Sequence, residues 1–566
     1  MSTLIDLYNK WLQQDLPPLL EKELTAIGTD EKAIEDRFYQ YVSFGTGGMR
    51  GLLGAGTNRM NVFTIRRGAE GLARFITSNG EDAKKRGVAI AYDTRHFSFE
   101  FAVETARVLG AHGITSYVYK ESRPTPQLSF TIRELNTFAG VVITASHNPK
   151  QYNGFKVYGE DGAQLVPTGA NAIIQHMDEI EDIFAIATIN TDILEQQGLL
   201  NWLSIDLDEK YMKNLLTLKE NTNIDLNMKI VYTPLHGAGL VPVTDGLKQF
   251  GFKHVHLVEQ QVVQDGAFPT VTYPNPEEAA AFSLAIELGQ QVGADLLLAT
   301  DPDADRLGVA VRSGNGYELL TGNELGALLL HYILQTKQAN GTLPDNGVMI
   351  KTIVTSELGA AIAEQFGVTT INTLTGFKYI AEKIAEFEAT KSHSYVFGYE
   401  ESYGYLIETF ARDKDAVQVA LKVAEMAAHY ATEGKTLLHA LNELNEQFGY
   451  YEEALISKTF EGKDGQEQMK AILNHYHENI PTKIAGIAVT HVEDYLTGVV
   501  TLQDGSTESI LLPKENVLKL VLEDCSWIAI RPSGTEPKCK FYFGVVKESA
   551  EQAKEAINIL MKYFTS

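Results

Sequence analysis

The chain reads as an α/β protein: three related units with mixed, mostly parallel sheets, then a separate, smaller α+β unit at the C-terminal end. Three observations predict this. Apolar β-like runs recur in sets of three, at 88–92, 115–119 and 139–143, at 229–233, 254–258 and 294–299, and at 348–354, 369–372 and 394–397. A helical pattern separates the first two runs of each set, over 99–109, 243–250 and 357–366, with Gly110, Gly251 or Gly367 expected to stop it. Each third run then delivers an unusual polar motif. Strand, helix and strand at this spacing make βαβ units with right-handed crossovers.

In chain order, residues 1–16 lack a basic leader and carry Asp6 inside their apolar stretch. They read as an amphipathic helix with Leu4, Leu7, Tyr8, Trp11 and Leu12 on one stripe. Antiparallel additions are expected where 156–158 and 163–166 flank a Gly-Glu-Asp-Gly turn, and where 307–311 and 317–320 flank Ser-Gly-Asn-Gly. Past about Glu453 come strand-like runs at 485–489, 498–502, 509–512, 527–531 and 540–545, and a final helix over 550–563. The expected domains are 1–205, 206–322, 323–450 and 451–566. Open α/β sheets bind ligands outside the carboxyl ends of their strands, so the three motifs can meet in one cleft.

Composition narrows the function. Lys plus Arg number 48 against 73 Asp plus Glu, a formal charge of −25, which opposes general nucleic-acid or anionic-membrane binding. A phosphorylated ligand needs only a local basic pocket. The two cysteines, Cys525 and Cys539, support neither a disulfide framework nor a zinc site, and a reducing cytoplasm is the expected location. The longest apolar runs fall well short of a membrane span.

The motifs carry the chemistry. In Asp301-Pro-Asp-Ala-Asp-Arg306, carboxylates at i, i+2 and i+4 can face one hard cation, and Mg²⁺ fits a few carboxylates plus phosphate oxygens best. An EF-hand is excluded, because Arg306 and Arg312 stand where glycine and glutamate are required. Thr144-Ala-Ser-His-Asn-Pro149 offers Ser146, a nucleophile that needs a base, a metal or both. His147 is adjacent, and Lys156 can return to the same place through the intervening turn. In Gly398-Tyr-Glu-Glu-Ser-Tyr-Gly404, Glu400 and Ser402 suit sugar hydroxyls. Arg531-Pro-Ser-Gly-Thr-Glu-Pro-Lys538 can form an anion nest completed by an arginine. Phe44-Gly-Thr-Gly-Gly-Met-Arg-Gly51 adds Arg50 but lacks the pattern of a P-loop or dinucleotide fingerprint. A metal site, an activatable serine, a polyol-binding turn and a remote phosphate clamp together point to phosphoryl transfer on a sugar phosphate.

These four loops, in this order over nearly the whole chain, resemble the α-D-phosphohexomutase family, and the stretches around Gly45–Gly51 and Gly398–Gly404 look most like its long phosphoglucomutase branch. The resemblance implies four domains around a central cleft. It implies a phosphoserine at Ser146, with Mg²⁺ held by its phosphate and by Asp301, Asp303 and Asp305. It implies catalytic roles for Arg50, His147 and Lys156 near that phosphate. Arg306, Thr375, Gly376, Lys378, Glu400 and Ser402 are expected to contact the sugar, and Arg531, Ser533, Gly534 and Thr535 the non-reacting phosphate. Gly47 departs from the serine many members carry. The implied activity is interconversion of α-D-glucose 1-phosphate and glucose 6-phosphate, with glucose 1,6-bisphosphate as activator and intermediate. Phosphomannomutase and phosphopentomutase are the nearest alternatives. An aspartyl-phosphate transferase of the haloacid-dehalogenase type is more distant, since it would leave Ser146 unexplained. The expected partner is the sugar phosphate alone, with no nucleic acid or membrane, and a monomer is the default.

Overall fold

The computed structural model describes residues 2–45, 47–460, 462–532 and 538–565. The first sheet has the order β1-β5-β4-β2-β3-β6, from Gly48–Leu52 (β1), Val88–Tyr92 (β2), Ser116–Tyr119 (β3), Ala139–Ile143 (β4), Tyr152–Gly159 (β5) and Leu200–Leu203 (β6). The second has the order β11-β10-β9-β7-β8, from Lys229–Thr233 (β7), His254–Leu257 (β8), Leu296–Thr300 (β9), Leu307–Ser313 (β10) and Gly316–Leu320 (β11). The third has the order β13-β12-β14-β15, from Gly347–Thr352 (β12), Thr369–Thr373 (β13), Ser394–Glu400 (β14) and Gly404–Leu406 (β15). Each contains a set of three parallel strands, joined in the first sheet by β6 as a fourth, and the third of each set in sequence takes an antiparallel neighbour: β4 pairs β5, β9 pairs β10, and β14 pairs β15. β2, β4 and β9 are buried throughout, as parallel strands covered on both faces must be.

The fourth sheet is antiparallel, in the order β16-β23-β22-β21-β18-β19-β20, with β17 pairing β18. Its strands are Tyr450–Thr459 (β16), Lys483–Ile484 (β17), Ile487–Asp494 (β18), Val499–Leu502 (β19), Thr507–Ser509 (β20), Leu518–Leu522 (β21), Trp527–Pro532 (β22) and Lys538–Lys547 (β23). Helix Ala550–Thr565 covers it. The largest apolar core runs unbroken from the second sheet to the third, with helix Ala416–Thr432 buried between them. Ile353, Val354, Leu374 and Tyr379 of the third unit pack with Tyr495, Val517, Trp527 and Tyr542 of the fourth.

Several sequence expectations are corrected. Gly110 lies inside helix Ser98–Ala111, where a Cβ would meet Leu194 Cδ2 at 2.3 Å, and the left-handed turn falls at Gly113. Gly251 caps helix Leu240–Phe250, and Gly367 takes positive φ beyond helix Leu358–Gln365. Residues 163–166 make one bridge, Tyr158 to Gln164, instead of a strand. Residues 510–512 lie outside β20, and Leu511 is almost fully exposed. Leu12 is 40% exposed and leaves the apolar stripe, while Trp11 is fully buried among Phe38, Phe63 and Phe184.

Candidate active site

Ser146 follows β4, at the carboxyl end of a buried parallel strand. It sits in the left-handed region at φ 51° and is buried. Its Oγ donates to Asp301 Oδ2 at 2.6 Å, across the boundary between the first two sheets, and lies 3.3 Å from His147 Nδ1. Sheet register delivers two cations to the same place. β1 pairs β5 with Gly48 opposite Lys156 and Arg50 opposite Gly154, so Arg50 and Lys156 share one face. Arg50 Nη1 donates to Asn148 Oδ1 at 3.0 Å.

The aspartates follow β9 in a tight loop with Ala304 at φ 49°. Asp301 Oδ1 accepts from the backbone N–H of Asp305 and Arg306 at 3.1 and 3.0 Å, which folds the loop around its own first carboxylate. One ligand atom from each of Asp301, Asp303 and Asp305 lies within 4.8 Å of the others, and all three residues are buried. Lys156 Nζ donates to Asp303 Oδ2 at 3.3 Å, and Lys414 Nζ lies 3.1 Å from Asp305 Oδ2. Thr125 Oγ1 also donates to Asp303 Oδ2, at 2.9 Å. Asp303 Oδ1 and Asp305 Oδ1 remain buried with no hydrogen-bond partner. Two orphaned carboxylate oxygens in an all-oxygen cluster fit a hard divalent cation. Burial first, and then Asp303 and Asp305, push the Asp301 carboxyl well above its usual range. Burial pushes Asp303 the same way but is outweighed by Lys156 and by hydrogen bonds from Asp301 and Thr125, which hold it low.

Burial and the cations Arg306, Arg50, Lys540 and Arg95 keep the His147 imidazole well below its usual pKa, hence neutral near pH 7. Arg306 is ion-paired to Glu277, which with Asp305 and Asp301 outweighs the burial penalty and keeps the guanidinium charged. Across the cleft, the Gly376 N–H donates to Glu400 Oε1 at 2.8 Å, joining the loop after β13 to the end of β14. Burial raises the Glu400 carboxyl, against Lys414. Thr375 Oγ1 is buried without a hydrogen-bond partner. Lys378 is buried and pushed down to about 8, chiefly by burial and against Glu515. Arg531 pairs with Glu515 at 3.1 Å.

Two adjoining pockets of about 410 and 230 Å³ share Arg50, Arg306, Ser402, Arg531, Lys540 and Tyr542. Together they fall within the roughly 300–1,000 Å³ of small-molecule sites. Ser146, Lys156, Asp305, Thr375, Gly376, Lys378 and Glu400 line the smaller one and His147 the larger one, while Asp301 and Asp303 are buried in the same loop as Asp305. The sequence-predicted residues thus meet in one cleft, apart from Ser533, Gly534 and Thr535, which lie outside the described residues. A separate cavity, about 500 Å³ between the first two units, is mostly apolar, and its Arg123 is tied to Asp208 at 2.8 Å. The convergence of cations and carboxylates marks the cleft made by the two adjoining pockets as the candidate site.

Sequence reasoning missed Lys414, Lys540, Glu277, Thr125, and the buried pair Asp93 and Arg95. Lys414 and Lys540 line the cleft, yet a single lysine in a charged run or on a strand carries no signal by itself. Asp93 and Arg95 had one: they follow β2 at a strand carboxyl end, where ligand sites form.

The chain matches four domain families: phosphoglucomutase/phosphomannomutase alpha/beta/alpha domain I over 41–183, domain II over 209–314 and domain III over 321–448, and the C-terminal domain over 482–559. It is 40% identical over 528 residues to a phosphoglucomutase of Staphylococcus haemolyticus, covering 92% of this chain and 94% of that protein. A phosphoglucomutase of Staphylococcus aureus is also 40% identical, over 93% of this chain and 94% of its own length. Among solved structures, the open form of pp63/parafusin, a phosphoglucomutase from Paramecium, has the same fold, with TM-score 0.67 at 18% identity over 93% of this chain and 95% of that one. A phosphoglucomutase/phosphomannomutase family protein from Burkholderia thailandensis gives 0.65 at 17% identity over 92% and 96%.

Proposed function

The chain belongs to the phosphoglucomutase/phosphomannomutase family, and from that premise we propose that it interconverts α-D-glucose 1-phosphate and glucose 6-phosphate through a phosphorylated Ser146. The observation that carries the reading is the 2.6 Å contact of Ser146 Oγ with Asp301, inside a buried aspartate cluster at the floor of a cleft that Arg531 also lines.

In the forward direction the 6-hydroxyl of glucose 1-phosphate attacks the phosphorus carried by Ser146. The bond from phosphorus to Ser146 Oγ breaks, and glucose 1,6-bisphosphate forms. The bisphosphate turns around, and its 1-phosphoryl group passes to Ser146, leaving glucose 6-phosphate. Asp301, Asp303 and Asp305, with an oxygen of the phosphorylated serine, would hold a divalent cation, Mg²⁺ by donor chemistry, which would neutralise the charge that spreads during transfer. Arg50, which lines the same pocket as Ser146 and is held by Asn148, provides fixed positive charge there. Lys156 is our assignment for proton exchange with the reacting hydroxyl, and neutral His147 orients Ser146 Oγ.

Glu400 and Ser402 read the sugar hydroxyls. Arg531, with Ser533, Gly534 and Thr535, clamps the phosphate that is not reacting. Thr375, Gly376, Lys378 and Arg306 complete the substrate contacts. The clamp must accept both orientations of the bisphosphate, so it recognises phosphate more than a particular carbon. A cytoplasmic monomer is the setting we propose. Among the described residues, no helix is long and apolar enough to cross a membrane.

Intact mass should show one phosphoryl group that Ser146→Ala removes together with turnover. A coupled assay with Mg²⁺ and catalytic glucose 1,6-bisphosphate should favour glucose 1-phosphate over the mannose, glucosamine and pentose 1-phosphates. Full turnover in Ser146→Ala, with loss only in Asp301→Asn, would sink the reading.

A further inference from the structure

Ser146 must hold one position while the charge on its oxygen changes twice per cycle, yet its φ of 51° is unfavourable for a residue with a Cβ. Something must hold the turn. Its backbone N–H donates to Thr144 Oγ1 at 2.8 Å, and Thr144 Oγ1 donates to Asp93 Oδ2 at 2.6 Å. Asp93 Oδ1 accepts from Ser98 Oγ at 2.7 Å and from the Arg95 N–H at 2.9 Å. Asp93 is ion-paired to Arg95 at 3.1 Å, and both side chains are fully buried. The Arg95 guanidinium then closes the circuit on the loop: Nη2 donates to the carbonyls of Ser146 and Asn148, and Nη1 to those of Pro149 and Tyr152 at 2.9 and 3.2 Å. Phe268, from the second unit, lies 5.0 Å from that guanidinium, and Gly266 approaches so closely that a Cβ there would lie 2.4 Å from the His96 nitrogen.

None of these groups lines the cleft that holds Ser146. One ion pair buried at this depth adds little net stability compared with an apolar replacement. What the arrangement does supply is four carbonyl contacts and one relayed N–H along the segment from Ser146 to Tyr152.

We infer that Thr144, Asp93 and Arg95 are positioning residues that act as one unit, fixing the reach of Ser146 Oγ toward the aspartate loop. This rests on Ser146 being the phosphoryl carrier. Misplacing a reacting group by about 1 Å costs on the order of 100-fold in rate.

The test compares Thr144→Val with Thr144→Ser. Valine keeps the shape and loses the hydroxyl; serine keeps the hydroxyl and loses the methyl. We expect Thr144→Val to lower kcat at least about 10-fold with KM for glucose 1-phosphate unchanged, and Thr144→Ser to restore it to within about 3-fold of wild type. If valine preserves kcat, if serine is as impaired as valine, or if KM rises in step with the loss, the inference is overturned. If Thr144→Val does not fold, Ser98→Ala, which removes one of the two donors to the other Asp93 oxygen, decides: a fall in kcat of about 3-fold or more at unchanged KM supports the inference, and an unchanged kcat overturns it. Should wild type show no turnover, the functional reading fails alone. Amide exchange over 144–149 then decides: protection lost in Thr144→Val and kept in Thr144→Ser supports the unit, and equal protection overturns it.

Discussion

Lys378 is the side chain whose titration should be visible in the kinetics. Burial holds its ammonium at about 8, against 10.5 for a free lysine. Between those values the unfolded chain binds the extra proton and the folded protein does not, so this group's contribution to stability rises with pH across that window. Function runs the opposite way, because the charge facing an anionic substrate disappears above about pH 8. We expect kcat/KM to fall there mainly through KM, and Lys378→Arg to move that fall to higher pH. A profile identical in the two proteins would remove Lys378 from substrate binding. Gly47 gives a second expectation. At φ 145°, with a Cβ that would lie 2.9 Å from Leu165 O, it tolerates a side chain poorly. Gly47→Ser should cost about 1–3 kcal/mol, read as a lower denaturation midpoint. The reactive residues were legible at this scale because Asp301–Asp305 and Thr144–Pro149 are motifs whose chemistry demands company. Lys414 was not, since its meaning comes from Asp305, which lies far away in the sequence.

At the level of elements, the aspartate loop after β9 should respond to metal before any substrate is present. Mg²⁺ should raise the melting temperature in proportion to the logarithm of its concentration, and Asp303→Asn should abolish most of that rise. An equal rise in the variant would place the ion elsewhere. The buried strands were legible because fully covered parallel strands read as short apolar runs, as β2, β4 and β9 do. β16 was not: it pairs only β23 at the sheet edge, and its side chains are half-buried or exposed along its length. β21 and helix Gly462–Glu478 were missed as well. The Gly110 error has a different origin, because a glycine that lets Leu194 pack against a helix looks the same in sequence as one that ends it.

Across the whole molecule, the fourth unit rests on the third through an apolar patch with a cation at its edge. Lys519 Nζ donates to Ile353 O at 2.9 Å and lies 5.0 Å from the Trp527 ring centroid. A hydrogen bond from a charged donor contributes about 1.5–3 kcal/mol. Lys519→Met should therefore loosen the fourth unit. We expect calorimetry to show an earlier transition, and hydrolysis of the phosphoserine to rise as water gains access, measured as phosphate released per turnover. No change in either would mean that the patch alone sets the contact. That three α/β units and a C-terminal one share a cleft was legible because the motifs end strands. The contact between the third and fourth units was not, since Tyr379 lies on helix Phe377–Thr390 and Tyr495 in the turn after β18, and no periodicity links them.

Trp11, sealed by Phe38, Phe63 and Phe184, also bears on how the chain is made. Ribosomes add roughly 5–20 residues per second, so on the order of ten seconds or more separates the synthesis of the indole from that of its last aromatic neighbour. Through that interval the nascent chain carries an indole whose aromatic pocket is incomplete. It is a natural handhold for a chaperone, and its quenching would time the moment the first third of the polypeptide closes.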